Sequence, residues 1–132
     1  MSTTHHNNKL QKLCDAIFAL NPNIRFAGVV NNMGTLVAGG MRQSVKSMED
    51  KGDSSKLYLE SAIRSEMRKD FDKEFGKTIY SFSERENIKV ASFPLHNDNL
   101  LRVSIEKQEQ SHEKIIQSIL KIISELTAQD IS

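Results

Sequence analysis

Two short apolar runs lie within Ile24–Gly40, on either side of the tetrapeptide Asn31–Gly34. This spacing predicts a β-hairpin. Asn31 suits the first position of a type I turn, because its side chain can hydrogen-bond to the backbone two residues on. Gly34 suits the left-handed position of a G1 bulge, which gives the paired strands their natural twist. Gly39–Gly40 has no Gly-Lys-Ser/Thr ending, so the sequence does not favour a phosphate-binding loop.

Three amphipathic helices are predicted from apolar residues at helical spacing. The first covers Lys9–Leu20, and the second covers Ser55–Phe75 and is closed by Gly76. The third begins after Ser111, a good N-cap residue. Cys14 lies on the apolar face of the first helix, where we expect a small buried hydrophobe.

Three further strands are predicted between the second and third helices, over Thr78–Ser83, Ile88–Leu95 and Leu100–Glu106. Their connections are too short for parallel crossovers, so neighbouring strands must pair antiparallel. The predicted order is therefore α-β-β-α-β-β-β-α. The fold class is α/β of the α+β type, a five-stranded antiparallel sheet with helices on its faces.

Length and charge limit the classes of function. The chain has 132 residues, which suits one domain; we expect it over 9–127, after a disordered leader at 1–8 and before a tail at 128–132. A formal net charge of +1 does not favour nucleic-acid binding. With one cysteine and no apolar run long enough to span a membrane, we expect a cytoplasmic protein.

The second helix carries an unusual apolar stripe. Leu59, Ile63, Met67, Phe71 and Phe75 follow one another at steps of four residues. Each step overshoots one helical turn by about 40°, so the stripe winds around the helix. One interpretation is an oblique crossing of a twisted sheet; the other is a second buried surface, formed with a partner subunit. The sequence does not decide between them.

The segment 41–52 after the hairpin is polar and irregular, and loops of this length are often functional. Met41 and Met48 could be the adaptable apolar contacts of a lid over a ligand pocket. In that case the protein would be a small-molecule sensor. The alternative is that these methionines simply pack the loop against the domain.

Candidate catalytic residues are few. His96 stands two residues before Asp98, and a His–Asp pair can orient a base, but catalysis also needs a nucleophile in defined geometry. We therefore assign no catalytic, cofactor-binding or metal-ligating residue and expect a protein that is not an enzyme.

With this order of elements, the chain resembles the roadblock group of longin-like and profilin-like domains. The resemblance covers most of Lys9–Glu125, and its hairpin runs from Phe26-Ala-Gly-Val-Val to Gly39–Gly40. The segments Phe26–Val30, Leu36–Met41 and Met67–Asp72 are also similar to an uncharacterised archaeal family of single-domain proteins.

The resemblance implies a non-enzymatic regulatory or scaffold module. Roadblock-like domains typically form homodimers through the middle helix and the adjoining strand, and serve as platforms for small GTPases or larger scaffolds. Carried over by position, the implied dimer interface contains Ile63, Met67 and Phe71 on the helix and Tyr80 on the adjoining strand.

Overall fold

The computed structural model describes the backbone of residues 2–131 and the side chains within 8–50 and 52–126. Its main helices are α1 (Ser2–Phe18), α2 (Lys51–Arg68), α3 (Asp72–Phe75) and α4 (His112–Ile131). Its strands are β1 (Ile24–Val30), β2 (Leu36–Met41), β3 (Ser81–Glu84), β4 (Ile88–Pro94) and β5 (Leu100–Glu106).

Within residues 2–131 the strands form one five-stranded sheet in the order β2–β1–β5–β4–β3. Every neighbouring pair is antiparallel. This confirms the predicted fold class. The pair β1 and β5 lies at the centre, although the two strands are far apart in sequence, and β2 and β3 are the edges.

The hairpin turn has the predicted chemistry. The Asn31 carboxamide oxygen accepts hydrogen bonds from the backbone N–H groups of Met33 and Thr35, at 2.9 and 3.0 Å. Gly34 has a φ of +80°, and the register of β1 against β2 shifts next to the turn. The turn also lies against α2, because a Cβ at Gly34 would be 2.7 Å from the Cα of Leu59.

One face of the sheet, together with α1 and α4, holds the hydrophobic core. On α1, Cys14 is fully buried, and burial raises the pKa of its thiol to about 12, so it is a core residue and not a thiolate. The core also includes Leu10, Leu13, Ile17, Ala27, Val29, Ala91, Phe93, Leu101, Val103, Ile105, Ile115, Ile116 and Ile119.

Arg42 ties the start of the loop after β2 to the end of α1. Its guanidinium donates hydrogen bonds to the carbonyl oxygens of Phe18, Asn21 and Ile24, at 2.8, 2.8 and 2.7 Å. It also lies 4.9 Å from the centre of the Phe18 ring. The carbonyl of Phe18, at the end of α1, would otherwise lack a partner within the helix. The sequence did not reveal this role.

Both terminal helices are longer than predicted. Helix α1 begins at Ser2 and α4 ends at Ile131, so each extends into the segment expected to be a leader or a tail. The side chains of residues 2–7 and 127–131 lie outside the described residues, and the domain limits 9–127 stay a prediction.

The middle of the chain also differs from the prediction. Helix α2 begins at Lys51, not Ser55, which leaves a loop over 42–50. After Arg68 the helix tightens into a 3-10 turn, Lys69–Phe71, before α3. Gly76 closes α3 with a φ of +82°, as expected, and donates to the carbonyl of Asp72.

Strand β3 is shorter than predicted and begins at Ser81, not Thr78. Ser81 pairs with Ser92 of β4. An extension of β3 toward Thr78 would run alongside Pro94, which has no N–H group to donate. The pairing of β3 with β4 therefore ends near the position at which β4 has no backbone N–H group to donate.

Candidate functional site

Helix α2 lies on the sheet face opposite to α1 and α4, and it contacts the sheet with small and polar residues. Ala62 is the one residue of α2 that is buried among those whose side chains are described. Ser61 and Ser65, on the same side of the helix, are half-buried. Tyr58 is the one large ring on this side, where it reaches Phe26, and the residues of the apolar stripe lie elsewhere on the helix. The usual arrangement of a surface helix is therefore reversed.

The apolar stripe faces outward. Ile63, Met67, Phe71 and Phe75 expose 49%, 63%, 56% and 83% of their surface, and Leu59 is also exposed. The rings of Phe71 and Phe75 stack on each other with centroids 6.0 Å apart. The interpretation of the stripe as an oblique crossing of the sheet is therefore wrong, because none of its residues packs into the core of this chain. It forms an exposed apolar surface of the kind that marks interaction sites.

The structure does not bring Tyr80 together with this stripe. Tyr80 precedes β3, and its ring stacks on that of Phe93 with centroids 6.1 Å apart. Phe93 is fully buried in the core between the sheet and α1 and α4. Of the four residues expected in the dimer interface, Ile63, Met67 and Phe71 share one surface, and Tyr80 lies toward the other face of the sheet.

A stack of three side chains fills the space beneath α2. The Phe26 ring lies flat over Gly28, where a Cβ would be 2.7 Å from the ring. The Arg102 guanidinium lies 5.3 Å from the centre of this ring, and the Tyr58 ring of α2 lies 5.8 Å from it. Sequence reasoning did not single out Phe26 or Arg102. The sequence signal that could have identified Arg102 is its charge, because the residue stands between apolar residues of the predicted strand β5.

Met41 and Met48 both line a small cavity beneath the 42–50 loop, together with Phe26 and Arg102. The cavity volume is about 30 Å³. Pockets that enclose small-molecule ligands measure about 300–1,000 Å³. The two methionines therefore line one cavity, as the lid interpretation required, but this cavity cannot enclose a whole metabolite.

Charges of opposite sign face each other across this cavity without a direct ion pair. Burial lowers the pKa of Arg102, and the negative charge of Glu49 acts against that shift. Burial alone would raise the pKa of Glu49, but neighbouring hydroxyl groups, the backbone and the charge of Arg102 together lower it. The Glu49 carboxylate accepts a hydrogen bond from the Ser54 hydroxyl at 3.2 Å. The lowered pKa keeps Glu49 ionised at neutral pH, and a guanidinium stays protonated in proteins.

The other candidate residues do not form a reactive site. His96 lies in an exposed 3-10 turn, and Asp98 accepts a hydrogen bond from Lys69 at 2.7 Å instead of orienting the histidine. Within the described side chains, no group of three or more His, Cys, Asp and Glu residues has metal-site geometry. The described part of the chain also holds no helix with the length and apolarity needed to cross a membrane.

The fold is that of roadblock/LC7 domains, as the resemblance predicted. MglB of Myxococcus xanthus is 13% identical, with a TM-score of 0.67 over 93% of this chain and 90% of that chain. The gliding protein MglB of Thermus thermophilus is 8% identical, with a TM-score of 0.70 over 92% and 90%. A Roadblock/LC7 domain of Streptomyces avermitilis is 10% identical, with a TM-score of 0.63 over 91% and 92%.

Sequence comparison adds one family. A family model described as a family of unknown function, DUF6659, matches residues 6–129. No curated protein is significantly similar to the chain in sequence.

Proposed function

Since the chain belongs to DUF6659 and has the roadblock/LC7 fold, we propose that it is a non-enzymatic regulatory or scaffold module that acts as a homodimer. The observation that carries this proposal is the exposed apolar stripe of α2. Roughly 25 cal/mol is gained for each Å² of apolar surface removed from water. The stripe of a second copy of the chain is equally apolar, so it is suited to cover this surface.

The sheet supports the same arrangement. Strand β3 is an edge strand, so one side of its backbone has no neighbouring strand within residues 2–131. On the α2 side of the sheet, Ile88, Val90 and Ser92 of β4 are only half-buried. A partner copy that covered the stripe could also cover this part of the sheet and pair along the free edge.

The dimer would present a platform to a further protein. By the resemblance alone, a small GTPase or a larger scaffold is the partner class, and a cytoplasmic location suits such a role. The alternative of a small-molecule sensor has weaker support, because the cavity below Met41 and Met48 is about a tenth of the lower limit for an enclosed ligand.

Sedimentation velocity of the purified chain tests the dimer. We expect wild type to sediment as a dimer at micromolar concentration, and Met67→Glu to sediment as a monomer, because a buried unpaired carboxylate at the interface is costly. Leu20→Glu is the matched control, since Leu20 is an exposed apolar residue just after α1, in the layer opposite α2.

Circular dichroism of both variants separates loss of association from loss of folding. A wild-type chain that stays monomeric over the whole concentration range contradicts the proposal. A dimer that Met67→Glu leaves intact contradicts the assignment of the stripe as its interface.

A further inference from the structure

Two neighbouring polar residues on β5 are buried without a hydrogen-bond partner among the described side chains. Arg102 is 8% exposed and Ser104 is 3% exposed. Both line the cavity beneath the 42–50 loop. Within that part of the chain, neither the Arg102 guanidinium nor the Ser104 hydroxyl has a protein acceptor. Neither group is sealed from solvent, because among the described side chains only the Ser47 hydroxyl is a fully buried polar group without a partner. The Arg102 guanidinium and the Ser104 hydroxyl therefore open onto the cavity, where they can donate to a ligand or to water.

The second arginine that lines the cavity, Arg25, already has acceptors for its guanidinium within the protein. The Arg25 guanidinium pairs with the Glu106 carboxylate at 3.2 Å and donates to the carbonyl of Lys46 at 2.7 Å. Arg102 therefore supplies the available positive charge, and the Phe26 ring against which it stacks holds its guanidinium in place. The inner wall of the cavity thus offers a planar set of N–H donors and one hydroxyl. That combination suits an oxyanion.

The shape of the space limits what can enter. A water needs about 10–15 Å³ of such a cavity, so a volume of about 30 Å³ holds two waters or one group of similar size. Met48 and Ile88 line both this cavity and an open groove of about 550 Å³ along the β3–β4 turn. A ligand could therefore place its head in the cavity and its tail between two apolar side chains.

We propose that the cavity between β5 and the 42–50 loop binds the carboxylate group of a short aliphatic acid. The carboxylate accepts hydrogen bonds from Arg102 and Ser104, and the aliphatic chain passes between Met48 and Ile88 into the groove. This site is separate from the stripe of α2 and does not depend on dimer formation. The small volume favours a carboxylate over the larger phosphate group, and the Arg102 guanidinium, unpaired among the described side chains, favours an anion over a cation.

Glu49 sets the affinity of this site. Its carboxylate lines the same cavity and is held by the Ser54 hydroxyl. A bound carboxylate would be repelled by this charge, so the wild-type site binds weakly and Glu49→Gln binds more tightly. An increase in affinity in Glu49→Gln distinguishes an anion-binding site from a purely apolar site, where the charge of residue 49 would have little effect.

Nuclear magnetic resonance of the arginine side-chain N–H groups tests the site, with sodium butyrate titrated into the full-length chain at constant ionic strength. We expect a saturable shift of the Arg102 signal in wild type. Ser104→Ala should weaken binding about fivefold, the equivalent of one hydrogen bond. Glu49→Gln should strengthen it by a similar factor. Neither substitution removes the buried guanidinium, so both variants should keep the fold.

Lys114→Gln is the control variant, because Lys114 is an exposed residue of α4 on the opposite face of the sheet, and it should leave the shift of Arg102 unchanged. Sodium chloride at the same concentration should produce no saturable shift. The proposal is wrong if butyrate gives no saturation, if chloride reproduces it, or if Ser104→Ala binds as well as wild type.

Discussion

Glu109 shows how strongly the pKa of one half-buried carboxylate can depend on the folded state. Its carboxylate accepts hydrogen bonds from the hydroxyl and the backbone N–H of Ser111, at the start of α4, and from the side chain of Asn23. These bonds lower the pKa of Glu109 from 4.5 to about 2, and those from Ser111 and Asn23 are the main causes. The side chain thereby joins the loop before β1 to the start of α4.

The depressed pKa predicts a pH-dependent contribution to stability. A carboxylate with a lower pKa in the folded state stabilises the fold fully above its unfolded pKa. The stabilisation by Glu109 should therefore be complete above pH 4.5 and disappear as the pH falls toward 2. Denaturant unfolding of wild type and Glu109→Gln over this range should show their difference in free energy narrowing with acid. A difference that is constant with pH contradicts this account.

At the scale of elements, strand β2 approaches α1 so closely that only glycine fits at one position. Gly39 has a φ of +76°, and a Cβ there would lie 2.1 Å from the carbonyl oxygen of Ala27 and 2.7 Å from the Sγ of Cys14. The Gln11 side chain of α1 also accepts a hydrogen bond from the N–H of Gly39 at 2.9 Å. Position 39 is therefore a point of contact between the helix and the edge of the sheet.

We expect Gly39→Ala to destabilise the protein by at least about 2 kcal/mol, because it adds left-handed strain to a steric clash. The control is Gly52→Ala at the start of α2, where a Cβ would contact nothing within 4 Å. It should change the stability by less than about 1 kcal/mol. Urea unfolding measures both. Equal stabilities of the two variants would refute the close-contact explanation.

Local rules predicted the elements but not their contacts. The hairpin was predictable because Asn31 and Gly34 determine the turn without help from the rest of the chain. The paired positions of β1 and β5 were not, because their ladder joins strands at opposite ends of the sequence. The break after Arg68 was also missed, since no proline or glycine marks it. There Lys69 donates to Asp98 on a distant turn, a contact that only the folded chain forms.

The candidate site was predictable to a similar extent. Periodicity identified Ile63, Met67 and Phe71. It could not show that the inner side of α2 carries Tyr58, Ala62 and serines and that the apolar stripe faces away from the sheet. The alternation within β3 did not show which face of the sheet Tyr80 takes, because a shift of one residue reverses the faces.

At the scale of the whole molecule, homodimer formation would couple association to folding. The thermal midpoint of unfolding should then rise with protein concentration, by about 2–3 °C for each tenfold increase in a chain of this length. Ile63→Glu, in the middle of the stripe, should abolish this dependence and leave a constant midpoint. Scanning calorimetry over a range of concentrations measures it. A wild-type midpoint that does not change with concentration would argue against a dimer.

The helices on the two faces of the sheet are held in place by different amounts of buried apolar surface. The layer with α1 and α4 contains nearly all of the large buried side chains, whereas α2 adds only Ala62 to the buried apolar residues among those described. Local opening of α2 should therefore cost much less free energy than global unfolding. We therefore expect the helix that carries the stripe to shift while the central strands keep their amides protected from hydrogen exchange, so that adaptation to a partner would not require the domain to unfold.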